Sequence, residues 1–124
     1  MLLEKEQSKS YLPEHRFPLP LAPEMPSVWD LWQRSKALEW DPQTDIPWEA
    51  LRPEQYAPEA IMAARRYWSR RTWGEYGAIS ESPALLLRFN LENRLPDLRY
   101  YFTMRTQEEG RHAEASWLMA ERLG

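Results

Sequence analysis

Leu85-Leu86-Leu87-Arg88-Phe89-Asn90-Leu91-Glu92, Asn93-Arg94-Leu95 and Pro96-Asp97-Leu98-Arg99-Tyr100-Tyr101-Phe102 together hold the end of one helix, a turn and the start of another. Proline at the first helical position loses nothing, because that N–H has no intrahelical partner, and an acid beside it suits the positive end of the helix. Pro96-Asp97 therefore opens a helix, which the sequence carries to about Leu123. Upstream, Pro58-Glu59 opens another in the same way. Ile61, Ala64, Trp68, Thr72, Glu75, Ile79 and Leu86 then recur at helical spacing along one stripe. Pro83, after Ser82, is expected to kink or restart that helix, since it removes one donor and crowds the preceding turn. No stretch alternates with period two, so no strand is expected. The fold class read from the sequence is all-α: a long antiparallel helical hairpin over residues 58–124.

Residues 1–57 are built differently. Nine of the eleven prolines fall at or before Pro58, which rules out one long helix there. Pro13, Pro18, Pro20, Pro23 and Pro26 predict an extended arm whose Leu12, Phe17, Leu19, Leu21 and Met25 dock on another surface. Ser27 is placed to cap a short helix from Val28 to about Trp40, with Asp41-Pro42 ending it. Turns follow, and one helical turn is expected over Trp48 to Leu51. Trp29, Trp32, Trp40 and Trp48 need cover, so this Pro/Trp-rich N-terminal arm is expected to wrap the helical core.

Composition limits the function classes. A net charge of −3 gives no bulk attraction to nucleic acid or anionic membrane. The Arg65, Arg66, Arg70 and Arg71 cluster reads as the solvated flank of an amphipathic helix rather than a nucleic-acid patch. The absence of cysteine removes disulfides and thiolate metal sites. The opening Met-Leu-Leu-Glu-Lys-Glu lacks the apolar run of a secretory signal, and no stretch reaches the roughly 18 apolar residues of a membrane span. Neither nucleic acid nor membrane is an expected partner, and the expected location is cytoplasmic.

One motif carries chemistry. Glu109-Gly-Arg-His112 places a carboxylate and an imidazole three residues apart, on one face of the second helix. That face also carries Leu98, Tyr101, Phe102, Arg105, Ser116 and Met119, so the polar pair continues an apolar stripe. Such a pair is costly unless it is hydrogen-bonded or holds a metal. Gly110, in mid-helix, implies a packing reason. With the hairpin centred near Leu95, Glu81 falls opposite Glu109, while Glu75 sits about 9 Å deeper at 1.5 Å per residue. Glu81 is the favoured partner and Glu75 the alternative.

A helix with one Glu followed by a helix with Glu-x-x-His resembles one half of a ferritin-like di-iron carboxylate bundle. The run Leu31-Trp32-Gln33-Arg34-Ser35-Lys36, followed by Glu39-Trp40-Asp41-Pro42-Gln43-Thr44-Asp45-Ile46-Pro47-Trp48, resembles the lead-in of bacterial di-iron oxygenases of the p-aminobenzoate N-oxygenase-like kind. The resemblance spans residues 27 to 123. It implies that Glu81 or Glu75, together with Glu109 and His112, binds iron in a di-iron centre, or manganese in its place. It also implies dioxygen and a small organic molecule as substrates. One chain supplies only half of such a site, His15 being the one further histidine and lying in the Pro-rich arm. The site is therefore expected to be completed by a homodimer, as in encapsulated ferritins, by a complementary half-bundle chain, or by the C-terminal half of a longer protein. Two rival readings stand beside this one. The chain is a ferroxidase or iron-handling oligomer, or it is a non-enzymatic helical interaction module.

Overall fold

A computed structural model describes residues 21–124, and all structural statements concern those residues. Three α-helices make up most of it: α1 (Pro26–Ser35), α2 (Pro58–Leu91) and α3 (Pro96–Leu123). Two single 3₁₀ turns, Trp48–Ala50 and Pro53–Gln55, lie between α1 and α2. There is no strand among the described residues. Each α-helix begins on a proline and none has a side-chain cap. Proline's fixed φ and missing donor set the helix starts here, in place of serine or aspartate caps.

Helices α2 and α3 pack along each other as the all-α hairpin expected from the sequence. The chain reverses through a Schellman-type end. Asn93 takes the left-handed conformation (φ 51°), and the Arg94 N–H reaches back to the Phe89 carbonyl at 2.9 Å. Asparagine tolerates that conformation better than most residues. Phe89 and Phe102 close the hairpin near the turn, edge to face with centroids 5.0 Å apart.

Helix α1 and the segment after it lie on α3, running in its direction. Trp29 and Trp32 meet Tyr100, edge-on at 5.6 Å and stacked at 5.7 Å respectively. Trp40 donates its indole N–H to Glu108, and the Gln43 amide donates to Glu114. Arg122 lies over the Trp48 ring at 4.4 Å, while the Trp48 indole N–H donates to the Pro42 carbonyl. Helix α3 is thus flanked by α2 and by this segment, and it carries most of the buried residues: Asp97, Glu109, Ala113, Ser116, Leu118 and Leu123. Helix α2 buries only Ser82. Its far side leaves Trp73, Tyr76, Leu87 and Leu91 exposed, Trp73 at 82%.

Four local expectations need correction. The first helix starts at Pro26, with Met25 and not Ser27 at the cap position, and it stops at Ser35 well short of Trp40. Ser35 Oγ donates to the Trp32 carbonyl at 2.7 Å, and the Ala37 and Leu38 amides bond three residues back. Such local bonds tighten and end a helix. The turn at Trp48 is 3₁₀ and ends at Ala50. Of the two outcomes expected at Pro83, a restart does not occur, because α2 runs through it from Pro58 to Leu91. A single proline forfeits one ladder bond, and packing along α3 on both sides of it holds the remaining turns. Gly110 has no packing reason among the described residues, because a Cβ built there meets nothing of theirs within 4 Å. Gly110→Ala is accordingly expected to raise stability by about 0.5–1 kcal/mol in denaturant titrations. Pro13, Pro18, Pro20, Leu12, Phe17, Leu19 and His15 lie outside the described residues, so the docking expected of the arm's first part is left where the sequence put it.

Candidate metal centre

Glu75 on α2 and Glu109 and His112 on α3 each offer one donor atom, and these atoms all lie within 4.8 Å of one another. His112 Nδ1 is 3.5 Å from Glu109 Oε2 and 3.7 Å from Glu75 Oε2. The other oxygen of each carboxylate is held elsewhere on its own helix. Arg71 pairs with Glu75 Oε1, and Arg105 with Glu109 Oε1, each four residues away. Pairs at this spacing lie one above the other on a helix surface. The two arginines therefore fix both carboxylates with one oxygen out and one oxygen turned toward His112. Glu109 is almost fully buried at 3%, Glu75 is half-buried, and the His112 side chain is 38% exposed.

Glu81 is not part of this group. It is exposed and lines a groove of about 510 Å³ with Tyr67, Arg70, Gly74, Arg105, Glu75 and Glu109. The reason is register. The turn is centred between Asn93 and Arg94 and not at Leu95, which sets His112 opposite Glu75 and Ala78 opposite Glu109. Glu81 is also turned about 120° around the helix axis from Glu75, by the helical period of 100° per residue. The sequence expectation that favoured Glu81 over Glu75 at this place is reversed by the geometry.

Two further groups lie near His112, and the sequence named neither for this role. Glu108 Oε2 lies 3.9 Å from His112 Nε2, on the side of the ring away from Glu75 and Glu109. The same oxygen accepts the Trp40 indole N–H at 3.1 Å, while Arg111 pairs with Glu108 Oε1. Burial works against the charge of Glu108. The Trp40 N–H and the Arg111 guanidinium outweigh it and hold this carboxyl below its ordinary range. The Trp40 and His112 rings lie 6.5 Å apart, tilted by 36°. Glu108 was legible as the residue one turn before His112; Trp40 was not, being distant in sequence.

Two carboxylate oxygens and one imidazole nitrogen form a donor set suited to Fe(II), Mn(II) or Zn(II), and three protein donors leave coordination positions open. The two-metal centres of carboxylate bundles use four carboxylates and two histidines. The described residues of one chain bring together half that number of histidines and two such carboxylates. The arginines supply the alternative partner for each carboxylate, so the cluster also stands as a neutralised ion-pair network without a metal. No family model matches the chain, and no curated protein or solved structure matches it either.

Proposed function

We propose that this chain is the metal-binding half of a ferritin-like di-iron oxidoreductase that activates dioxygen, with Glu75, Glu109 and His112 as its ligands. The observation that carries the reading is the convergence of Glu75 Oε2, Glu109 Oε2 and His112 Nδ1 from two helices onto one place. The resemblance of the Glu-x-x-His hairpin to such bundles supplies the reaction class. Iron bound here, or manganese in its place, would supply redox chemistry toward dioxygen, and the chain's own residues do the rest. Arg71 and Arg105 hold the outer carboxylate oxygens and offset their charge, so that a cation enters a site already arranged for it. The Trp40 ring lies beside that of His112, with centroids 6.5 Å apart. The groove beside Glu75 and Glu109 gives a small organic substrate a route to the ligands. A second copy of the chain, or a complementary half-bundle, completes the donor count. The exposed aromatic side of α2 favours such association, because apolar surface of this kind is covered in stable assemblies.

Metal content per chain and mass in solution, measured on the full chain after anaerobic Fe(II) addition, test the reading. One ion per chain in a dimer is expected. Glu75→Ala should strip the metal, whereas Glu81→Ala should leave it in place. A chain that stays metal-free overturns the proposal and favours a helical interaction module. Fe(II) turnover by dioxygen with no organic co-substrate, in a large assembly, favours the ferroxidase reading.

A further inference from the structure

A groove of about 610 Å³ lies at the turn end of the hairpin. Leu86 and Asn90 of α2 line it together with Pro96, Tyr100 and Thr103 of α3, and Leu21 completes the lining. It is separate from the candidate metal centre, since Thr103 precedes His112 by nine residues, about 14 Å along α3. Leu21 is the first described residue, and it is 53% exposed although it lines the groove. Three residues later, the Glu24 N–H donates to Oδ2 of the fully buried Asp97 at 2.9 Å. The chain is thus fixed at Glu24, and Leu21 leads the stretch before it into the groove. Tyr100 belongs to this groove and also carries Trp29 and Trp32, so the groove adjoins the packed contact between α1 and α3.

We infer that Phe17-Pro18-Leu19-Pro20, the four residues before Leu21, occupy this groove of their own chain, with Leu19 against Leu86 and Tyr100. A proline restricts the residue before it to extended conformations, and side chains alternate along an extended chain. Leu19 and Phe17 would therefore follow Leu21 on its own side, about 7 and 13 Å further on. Pro96 to Thr103 spans about 10 Å of α3, a length matched to that reach. Pro18 and Pro20 have no N–H, so a chain laid here brings few donors that burial would strand. Pro-rich segments settle in aromatic-lined grooves for the further reason that ordering them costs little entropy. The tether decides between occupants. A segment already fixed at Glu24 competes at an effective concentration of roughly millimolar order, ahead of a second copy or a separate peptide. Docked there, it straps the entry of α1 to the last turns of α2, the helix that buries only Ser82. This inference does not depend on the metal reading.

The test uses the full chain in chelator, with leucine methyls and aromatic rings isotopically labelled. Nuclear Overhauser contacts from the Leu19 methyls to Leu86 and to the Tyr100 ring are expected, unchanged on dilution. Leu19→Asp should erase them and speed amide exchange from Leu86 to Leu91 about 10-fold or more, the scale of exposing one buried leucine. The helical circular dichroism should be retained. Leu19→Met, which fills a similar volume, should keep the wild-type exchange rates. Absence of the contacts in the wild type overturns the inference without any variant. Exchange rates that Leu19→Asp leaves unchanged overturn it as well. Contacts found only between differently labelled copies overturn it in favour of an arm exchanged between two chains.

Discussion

His112→Ala is expected to leave the chain without retained metal after desalting, and Glu109→Ala likewise. Each removes one of only three converging donors. Loss of an outer partner alone costs about 10–100-fold in metal affinity, so loss of a ligand should exceed about 100-fold. The two variants differ in what they leave behind. His112 is partly exposed, so its removal opens a small surface notch that water fills. Glu109 is buried and paired with Arg105, and its removal leaves that guanidinium facing the hairpin without its partner. The thermal midpoint of the metal-free protein should therefore fall more for Glu109→Ala than for His112→Ala. Competition with a chromophoric chelator measures the affinity, and thermal melts in chelator measure the stability. Full metal retention in both variants would falsify the ligand assignment.

Asp97→Ala should be among the most destabilising substitutions outside the centre. Asp97 is fully buried, and its Oδ2 accepts the Glu24 backbone N–H at 2.9 Å. It sits in the first turn of α3, where the helix dipole favours a carboxylate. It ties the entry of α1 to the start of α3 across the whole length of the intervening chain. Among the described residues its Oδ1 accepts no hydrogen bond, so one bond and the helix end hold the buried carboxyl group. Removal strands the Glu24 N–H and frees the approach to α1, at a cost of roughly 1–3 kcal/mol. Asp97→Asn keeps the acceptor and should lose less. Denaturant titration gives the magnitude, and faster amide exchange at Glu24 and through α1 gives the location. An unchanged midpoint in Asp97→Ala would reject the anchoring role.

The hairpin was legible because its signals are local. Pro58 and Pro96 mark helix starts by their own covalent geometry, and the stripe through Ile61, Trp68, Glu75 and Leu86 repeats at the helical period. Glu109 and His112 were legible for the same reason, since three residues on a helix is a fixed distance. Glu75 was harder to place. Choosing between it and Glu81 needed the centre of the turn to within two residues, and the Schellman end at Asn93 sets that centre through backbone bonds the sequence shows only faintly. Asp97 read as an ordinary acid in a first turn; its burial comes from Glu24, which approaches through tertiary packing. Trp40 read as one of four aromatics in need of cover, with no local pattern pointing to Glu108. The early end of α1 escaped because Ser35 can face solvent or bond its own backbone, and the sequence does not distinguish the two.

The division of the three proposed ligands between helices has a mechanical consequence. Glu75 belongs to α2, while Glu109 and His112 belong to α3, so an ion held by all three is a cross-link at mid-hairpin. It closes a loop containing the turn, and a closed loop has less entropy to gain on unfolding. Helix α2, which buries little of its own surface, is the element such a clasp secures. Binding to the folded chain alone also adds stability that grows with free ion concentration, by about 2.7 kcal/mol at a hundredfold excess over the dissociation constant. If the proposed metal binds, the hairpin becomes a fastening whose grip follows the supply of that metal.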